Sequence, residues 1–353
     1  MSRYYLQGAL LSALLVTAVP AQAGDLLDWV TAGSHKQQRE RLSDGATLLT
    51  LEPKQSEIYP QAAGDRDFLV TVVMRDRVAL VRRALENGDP LNLVTEGMVP
   101  DSVRWRSGSV LFLSTQVGGL GLWSKPVTGM GLVKRLRQFS GRVVQPELLP
   151  NGDLIAVRLS LRGLSEQREG DRRHRSDPFD NWTQQGASPS IVRIDSSGSE
   201  RVLADGVNPA VSPDGEWIVF SMAVGRSRHL FLMRVDGSEL AQLSDGRAVD
   251  VQPVWSPDGE WIAFTSNRGH ADMRHRSRSN WDVWVVRRNG EGLTRLTRDP
   301  ARDGAPTFSR DGAKVLFHSD RKVGKEDLVL HQLQRSPKGF HIWQLAMPAI
   351  ASH

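Results

Sequence analysis

Two short strings concentrate the most reactive side chains of this sequence. Arg172-Arg173-His174-Arg175-Ser176 and Arg274-His275-Arg276-Ser277 each set guanidinium groups on both sides of a histidine. A guanidinium is a planar fork of donors that matches a carboxylate or phosphate through two parallel hydrogen bonds, so the chemistry these strings suit is anion binding. The first string shares its segment with Glu166, Glu169, Asp171, Asp177 and Asp180 against four arginines, which also describes a solvated loop whose charges cancel. The second has one acid against four arginines between Arg268 and Arg278 and is the stronger candidate. Arg228, His229, Arg268 and Arg321 stand at related places in the chain and join the same candidate set. His174, His229, His275 and His318 recur in the same pattern and could meet on a metal ion. No histidine-carboxylate motif of defined spacing accompanies them, so the expectation is no metal and no catalytic residue.

What positions these residues is an internal repeat. Gly64, Gly108, Gly152, Gly215, Gly259 and Gly312 recur at intervals of 44, 44, 63, 44 and 53 residues. In its best copies the glycine closes Ser212-Pro213-Asp214-Gly215-Glu216-Trp217-Ile218-Val219-Phe220, echoed by Ser256-Pro257-Asp258-Gly259-Glu260-Trp261-Ile262-Ala263-Phe264. Proline supplies the φ of a type I turn and glycine the left-handed residue that re-enters a strand. Trp217-Ile218-Val219-Phe220 is apolar on both faces, as a strand is when its sheet is sandwiched between two others. With a third strand over 230–235, the turn Asp236-Gly237-Ser238 and a fourth strand over 240–243, the unit is a four-stranded antiparallel blade. The reading is therefore all-β: a six-bladed β-propeller over 55–347, preceded by a capping or ring-closing segment over 24–54 and followed by a tail over 348–353. Either 47–51 or 340–345 completes the last blade. The two long intervals place insertions between the second and third strands of their blades, so both Arg-His-Arg-Ser strings fall on one rim, opposite the Pro-Asp-Gly turns.

The chain opens with Met1-Ser2-Arg3, an apolar stretch from Ala9 to Val19, and Ala21-Gln22-Ala23. This is the pattern of a secretory signal peptide over 1–23. Cleavage after Ala23 leaves 330 of the 353 residues and a net charge of +4, one below the full chain's +5 because Arg3 is lost. The expectation is a periplasmic or secreted protein with no membrane span after cleavage. The absence of cysteine excludes a disulfide framework, and so mild a charge argues against nucleic acid.

The unit Gln252-Pro253-Val254-Trp255-Ser256-Pro257-Asp258-Gly259-Glu260-Trp261-Ile262-Ala263-Phe264-Thr265-Ser266-Asn267-Arg268, continuing to Trp281-Asp282-Val283-Trp284-Val285-Val286, resembles the propeller repeat of the TolB family. The units around Gly215, Gly259 and Gly312 carry the resemblance. It implies a cofactor-free periplasmic propeller engaged in protein-protein contacts of the bacterial cell envelope, a peptidoglycan-associated lipoprotein being the family's best-known partner. The α/β domain that precedes the propeller in TolB finds no room ahead of residue 55, so the resemblance is to the propeller alone. The same repeat precedes the catalytic domain of prolyl oligopeptidase-type peptidases, but no Gly-x-Ser-x-Gly elbow occurs in this chain. Two functional expectations result. One is a non-catalytic propeller that docks an envelope protein through its insertion-bearing rim or axial funnel. The other is an acidic-polysaccharide binding protein or lyase, with Arg173, Arg175, Arg274 and Arg276 gripping carboxylates.

Overall fold

The computed structural model describes residues 44–75, 77–106, 108–161, 179–183, 186–269 and 280–348, within the compact unit Asp44–His353. They form six four-stranded antiparallel sheets arranged as a six-bladed β-propeller. Blade one is β2 (Ser56–Ala62), β3 (Asp67–Val73), β4 (Val78–Ala84) and β5 (Pro90–Glu96). Blade two is β6 (Arg104–Arg106), β7 (Ser109–Ser114), β8 (Gly121–Pro126) and β9 (Lys134–Gln138). Blade three is β10 (Arg142–Leu148), β11 (Leu154–Leu161), β12 (Ala187–Ile194) and β13 (Glu200–Asp205). Blade four is β14 (Val207–Val211), β15 (Trp217–Val224), β16 (Ser227–Arg234) and β17 (Ala241–Gln242). Blade five is β18 (Asp250–Trp255), β19 (Trp261–Ser266), β20 (Asp282–Arg287) and β21 (Thr294–Arg295).

Blade six draws on both ends of the described chain. It consists of β22 (Asp303–Phe308), β23 (Lys314–Ser319), β24 (His341–Ala346) and, outermost, β1 (Thr47–Leu48). Thr47 lies opposite Gln344 and Leu48 opposite Trp343. Both segments expected to compete for this place therefore take part, because β24 supplies the third strand and leaves an edge that β1 covers. A helix, α1 (Lys325–Leu330), sits between β23 and β24, giving blade six an insertion that the glycine spacing could not register.

The core lies between the blades, and alternation along β15 shows how the repeat produces it. Ile218 and Phe220 pack toward blade three, while Trp217 and Val219 pack toward blade five. The turns repeat as closely as the strands. Ser212 contacts the Asp214 carboxylate and accepts from Trp217 N at 2.9 Å, Asp214 Oδ1 accepts from Glu216 N at 2.9 Å, and Gly215 takes φ +76°. Ser256 with Asp258 and Ser309 with Asp311 repeat this arrangement, which is why the string recurs nearly letter for letter. Neighbouring turns also nest. A Cβ on Gly215 would stand 2.6 Å from Pro150 Cγ, so glycine here serves close approach as well as φ.

Candidate functional site

The inner strands converge on the propeller axis, and in every blade but the second the ladder is interrupted at the same point, while in blade two the equivalent residue, Asp101, precedes β6. On β18 the ladder lapses between Val251 and Val254 while β19 advances only from Thr265 to Ala263, a one-residue bulge. Gln252 at this bulge takes φ +53° and precedes Pro253. Proline is tolerated there because the bulge leaves its position without a ladder donor. Tyr59, Asp101, Gln145, Asn208 and Ala305 occupy the same place in the other blades, all with φ between +45° and +62°. Four of these are again followed by proline, and Asp101 by Ser102.

This ring of left-handed residues passes hydrogen bonds from blade to blade. Asn208 N donates to Gln145 Oε1 (2.7 Å), Gln252 N to Asn208 Oδ1 (3.3 Å), and Ala305 N to Gln252 Oε1 (2.8 Å). Alanine cannot continue the relay, and His318 of β23 takes its place, its Nδ1 accepting from Tyr59 N at 3.2 Å. His318 is fully buried against Tyr59, Phe179 and Phe340, and burial together with the nearby Arg302 charge pushes its imidazole down to about 3.

One end of the bore is stoppered by the last residues of the blade-three insertion. Asn181 Nδ2 donates to Asp101 Oδ2 at 2.6 Å, and Asn181 Oδ1 accepts from Asn208 Nδ2 at 3.2 Å and Gln252 Nε2 at 3.1 Å. Phe179 and Trp182 flank it in an aromatic cluster with Trp281 and Phe340. Phe179 reaches so far that a Cβ on Gly304, at the start of β22, would stand 2.6 Å from its ring. These contacts all fall where inner strands begin, which is the insertion-bearing face.

Beyond the stopper lies a cavity of about 110 Å³ lined by all six inner strands. Its charged members are Asp101, Arg104 and Glu147. Arg104 Nε contacts Glu147 Oε1, and the two side chains retain 21% and 18% exposure, so water reaches them from the Pro-Asp-Gly face. Enclosure pushes the Asp101 carboxyl up to about 6, against the opposing pull of the Arg104 charge and of hydrogen bonds from Gln145 and Asn181. Glu147 is also raised, chiefly by burial, with Arg104 opposing and Asp101 adding to the effect. Thr71 Oγ1 and Gln61 Oε1 line the same space as buried polar atoms without a hydrogen-bond partner among the described residues. The arrangement can hold a polar group that both donates and accepts.

The residues singled out from the sequence are placed differently. Arg172, Arg173, His174, Arg175, Arg274, His275 and Arg276 lie outside the described residues. Arg268 is turned inward onto Asp250, with Nη2 at 2.5 Å from Oδ2, and Ser244 and Ser266 donate to the same carboxylate at 2.6 Å. Burial alone would raise Asp250, but His229, Arg268 and the two serines hold it below the usual range. His229 itself is buried, its Nδ1 3.9 Å from Asp250 Oδ2. Arg321 is buried in blade six between Asp303 (2.6 Å) and Asp44 (2.8 Å). Arg228 donates to Ser221 O at 3.3 Å. Arg268 and Arg321 are thus neutralised one blade at a time by carboxylates of this chain, and the fold does not gather them at one point. Among the described residues no group of three or more His, Cys, Asp or Glu is arranged to hold a metal ion, and no helix is long and apolar enough to cross a membrane.

The axial residues escaped the sequence reading. Nothing local in the sequence marks Asn181, Asp101, Arg104 and Glu147 as a group. A usable signal did exist: Gln145-Pro146, Asn208-Pro209, Gln252-Pro253 and Ala305-Pro306 repeat at the same intervals as the glycines.

Residues 182–277 match the family model of the TolB beta propeller domain. Among solved structures, the chain is similar to TolB from Acinetobacter baumannii, at 15% identity and a TM-score of 0.51, covering 85% of this chain and 65% of that one. It is also similar to an oligogalacturonate lyase solved with manganese (13% identity, TM-score 0.50, 86% of this chain, 93% of that one). A third is XC5397 from Xanthomonas campestris, described as a gluconolactonase (14% identity, TM-score 0.50, 86% and 90%). At such identities the likeness is one of fold alone. No curated protein is significantly similar to this chain.

Proposed function

With a TolB-like β-propeller as the premise, we propose that this protein is an exported, non-catalytic interaction module of the cell envelope that receives a protein partner at the open mouth of its axial channel. The observation that carries the reading is the axial cavity itself. Asn181 closes it on the insertion-bearing face, while on the other face Arg104 and Glu147 meet water in the same cavity as the Thr71 hydroxyl and Gln61 carbonyl, which have no hydrogen-bond partner among the described residues. A buried polar atom without a partner costs about 1–3 kcal/mol, which a ligand that supplies the missing bond recovers. A polypeptide segment has the alternating donors and acceptors to do so. Localisation outside the cytoplasm rests on the apolar stretch from Ala9 to Val19 and the Ala21-Gln22-Ala23 site.

Capture from an envelope extract tests the proposal. Wild-type protein is expected to retain a partner that the double variant Arg104→Gln, Glu147→Gln loses, with no change in melting behaviour large enough to indicate unfolding. Undiminished capture by that variant would refute the axial reading. The polysaccharide alternative rests on the two Arg-His-Arg-Ser strings and is the weaker of the two, since Arg268 and Arg321, which would extend their rim, are already bound to carboxylates. A new ultraviolet absorbance from pectate or alginate would restore it.

A further inference from the structure

Blade two differs from its neighbours in charge and in the character of one turn. From Arg104 to Gln138 it carries Arg104, Arg106, Lys125, Lys134, Arg135 and Arg137 and not one aspartate or glutamate. Blade four, by contrast, mixes Asp214, Glu216, Asp236 and Glu239 among its arginines. On the outer strand β9, Lys134 and Arg135 are exposed, and among the described residues neither they nor Arg137 pairs with a carboxylate. Arg135 instead donates to Val117 O at 3.4 Å and lies over Trp123, and Arg137 donates to Ile194 O at 3.3 Å. Among the described residues, therefore, no carboxylate neutralises the positive charge of this edge.

The turn between the third and fourth strands closes on its own polar side chains in blades one, three, four and five, where the most exposed leucines, Leu240 and Leu293, reach 51% and 43%. Asn87 Nδ2 donates to Asp89 at 2.7 Å, Ser197 N to Asp195 at 2.9 Å, Ser238 N to Asp236 at 2.9 Å and Asn289 Nδ2 to Glu291 at 2.9 Å. Blade two has Gly129-Met130-Gly131-Leu132-Val133 there, with Met130 77% and Leu132 83% exposed. The stem of this turn is held: Val127 N donates to Gly108 O (2.9 Å), Gly129 N to Pro126 O (3.0 Å), and Asn92 Nδ2 of β5 to Val127 O (3.2 Å). A well-tied turn that still presents its largest apolar side chains to solvent has them outside for another surface, and large exposed apolar groups mark such contacts.

We propose that this edge of blade two docks on an anionic lipid bilayer, Met130 and Leu132 entering the headgroup region while Lys134 and Arg135 face lipid phosphates. Two projecting aliphatic tips beside carboxylate-free cations are the combination that binds such an interface, by burial of apolar area together with attraction to surface charge. The tips are convex and need no shaped pocket, which favours a deformable lipid surface over a protein groove. This surface is at the outer edge of its sheet, far from the axial cavity, and the inference does not rest on the axial reading.

The test is co-sedimentation of the mature chain, beginning at Gly24, with vesicles of phosphatidylcholine alone and of phosphatidylcholine with one third phosphatidylglycerol. Wild type and variants all lack the apolar stretch from Ala9 to Val19, and whatever residues 24–43 contribute is common to all. Wild type is expected to bind the anionic vesicles and to release in high salt. Lys134→Gln with Arg135→Gln should weaken binding about 25-fold, roughly fivefold per charge. Met130→Ser with Leu132→Ser should weaken it about tenfold, with melting unchanged because both residues are exposed. No binding to anionic vesicles, equal binding to both compositions, or variants that sediment like wild type would overturn the proposal. So would loss of a captured acidic protein, rather than of vesicles, in the same variants.

Discussion

Replacing Asn181 tests whether the stopper and the charged cavity form one unit. Among the described residues, the Asn181 side chain makes one hydrogen bond to a carboxylate, at 2.6 Å from Asp101, and two to the amides of Asn208 and Gln252 at 3.2 and 3.1 Å. A bond to a charged acceptor is worth about 1.5–3 kcal/mol and each neutral one about 0.5–1.5. Asp101 retains its bond from Gln145 and Gln252 retains the Phe179 carbonyl, so part of the loss is recovered. Asn181→Ala should therefore cost about 2–4 kcal/mol and lower Tm by roughly 5 °C for a chain of this length. Asn181→Asp sharpens the test, because it sets a second carboxylate against Asp101. At pH 8 both are charged, and repulsion at about 4 Å with an effective dielectric near 20 adds about 4 kcal/mol. At pH 5 one proton suffices for the pair, since the Asp101 carboxyl already sits at about 6, and most of the added cost should vanish. Urea titrations of the three proteins at pH 5 and pH 8 decide it. If Asn181→Asp melts like wild type at pH 8, or if its deficit is the same at both pH values, Asn181 does not face Asp101 and the account of the cavity fails.

Other expectations follow from the same geometry. Asp101 and Asp282 both have folded-state carboxyls raised by burial, to about 6 and about 7, so the native state holds their protons more tightly than the unfolded chain. The stability each provides is complete below about pH 4 and is lost as pH rises through those values. His318, lowered to about 3, acts in the opposite sense as pH falls below its unfolded value, so the readout is the difference between wild type and Asp101→Asn, which should shift in favour of the variant between pH 5 and pH 8 in urea midpoints. Gly215→Ala meets both a φ of +76° and Pro150 Cγ at 2.6 Å, whereas at Gly259 the nearest atom to a new Cβ is 3.7 Å away. Gly259→Ala should cost about 1–2 kcal/mol and Gly215→Ala clearly more, a difference calorimetry would resolve. Arg321→Leu leaves Asp44 and Asp303 buried without their cation and should cost about 3–5 kcal/mol in chemical denaturation at pH 7, while a near-neutral result would show the pair to be dispensable.

Much of this architecture is written locally. The Ser-Pro-Asp-Gly string closes on itself through Ser212, Asp214 and the Gly215 backbone, contacts that span no more than five residues. The strand after it is apolar on both sides because it is packed on both sides. Turn and strand could therefore be read from single units, and the period and the number of blades from the recurrence of their glycines. Partnership could not. Arg268 and Asp250 are 18 residues apart and Arg321 and Asp44 are 277 apart, and their side chains read in isolation are exposed cations offered to a ligand. Folding supplied each with its own carboxylate. Asn181 is the converse case: unmarked in the sequence, it becomes the stopper of the bore because Asp101, Asn208 and Gln252, from three other places in the chain, converge on it. Repetition makes every blade alike in its backbone, so the sequence by itself determined what is common to the units. Only the closed ring decided the site, since it is made of the positions at which the units differ, and those meet only when all six inner strands share one axis.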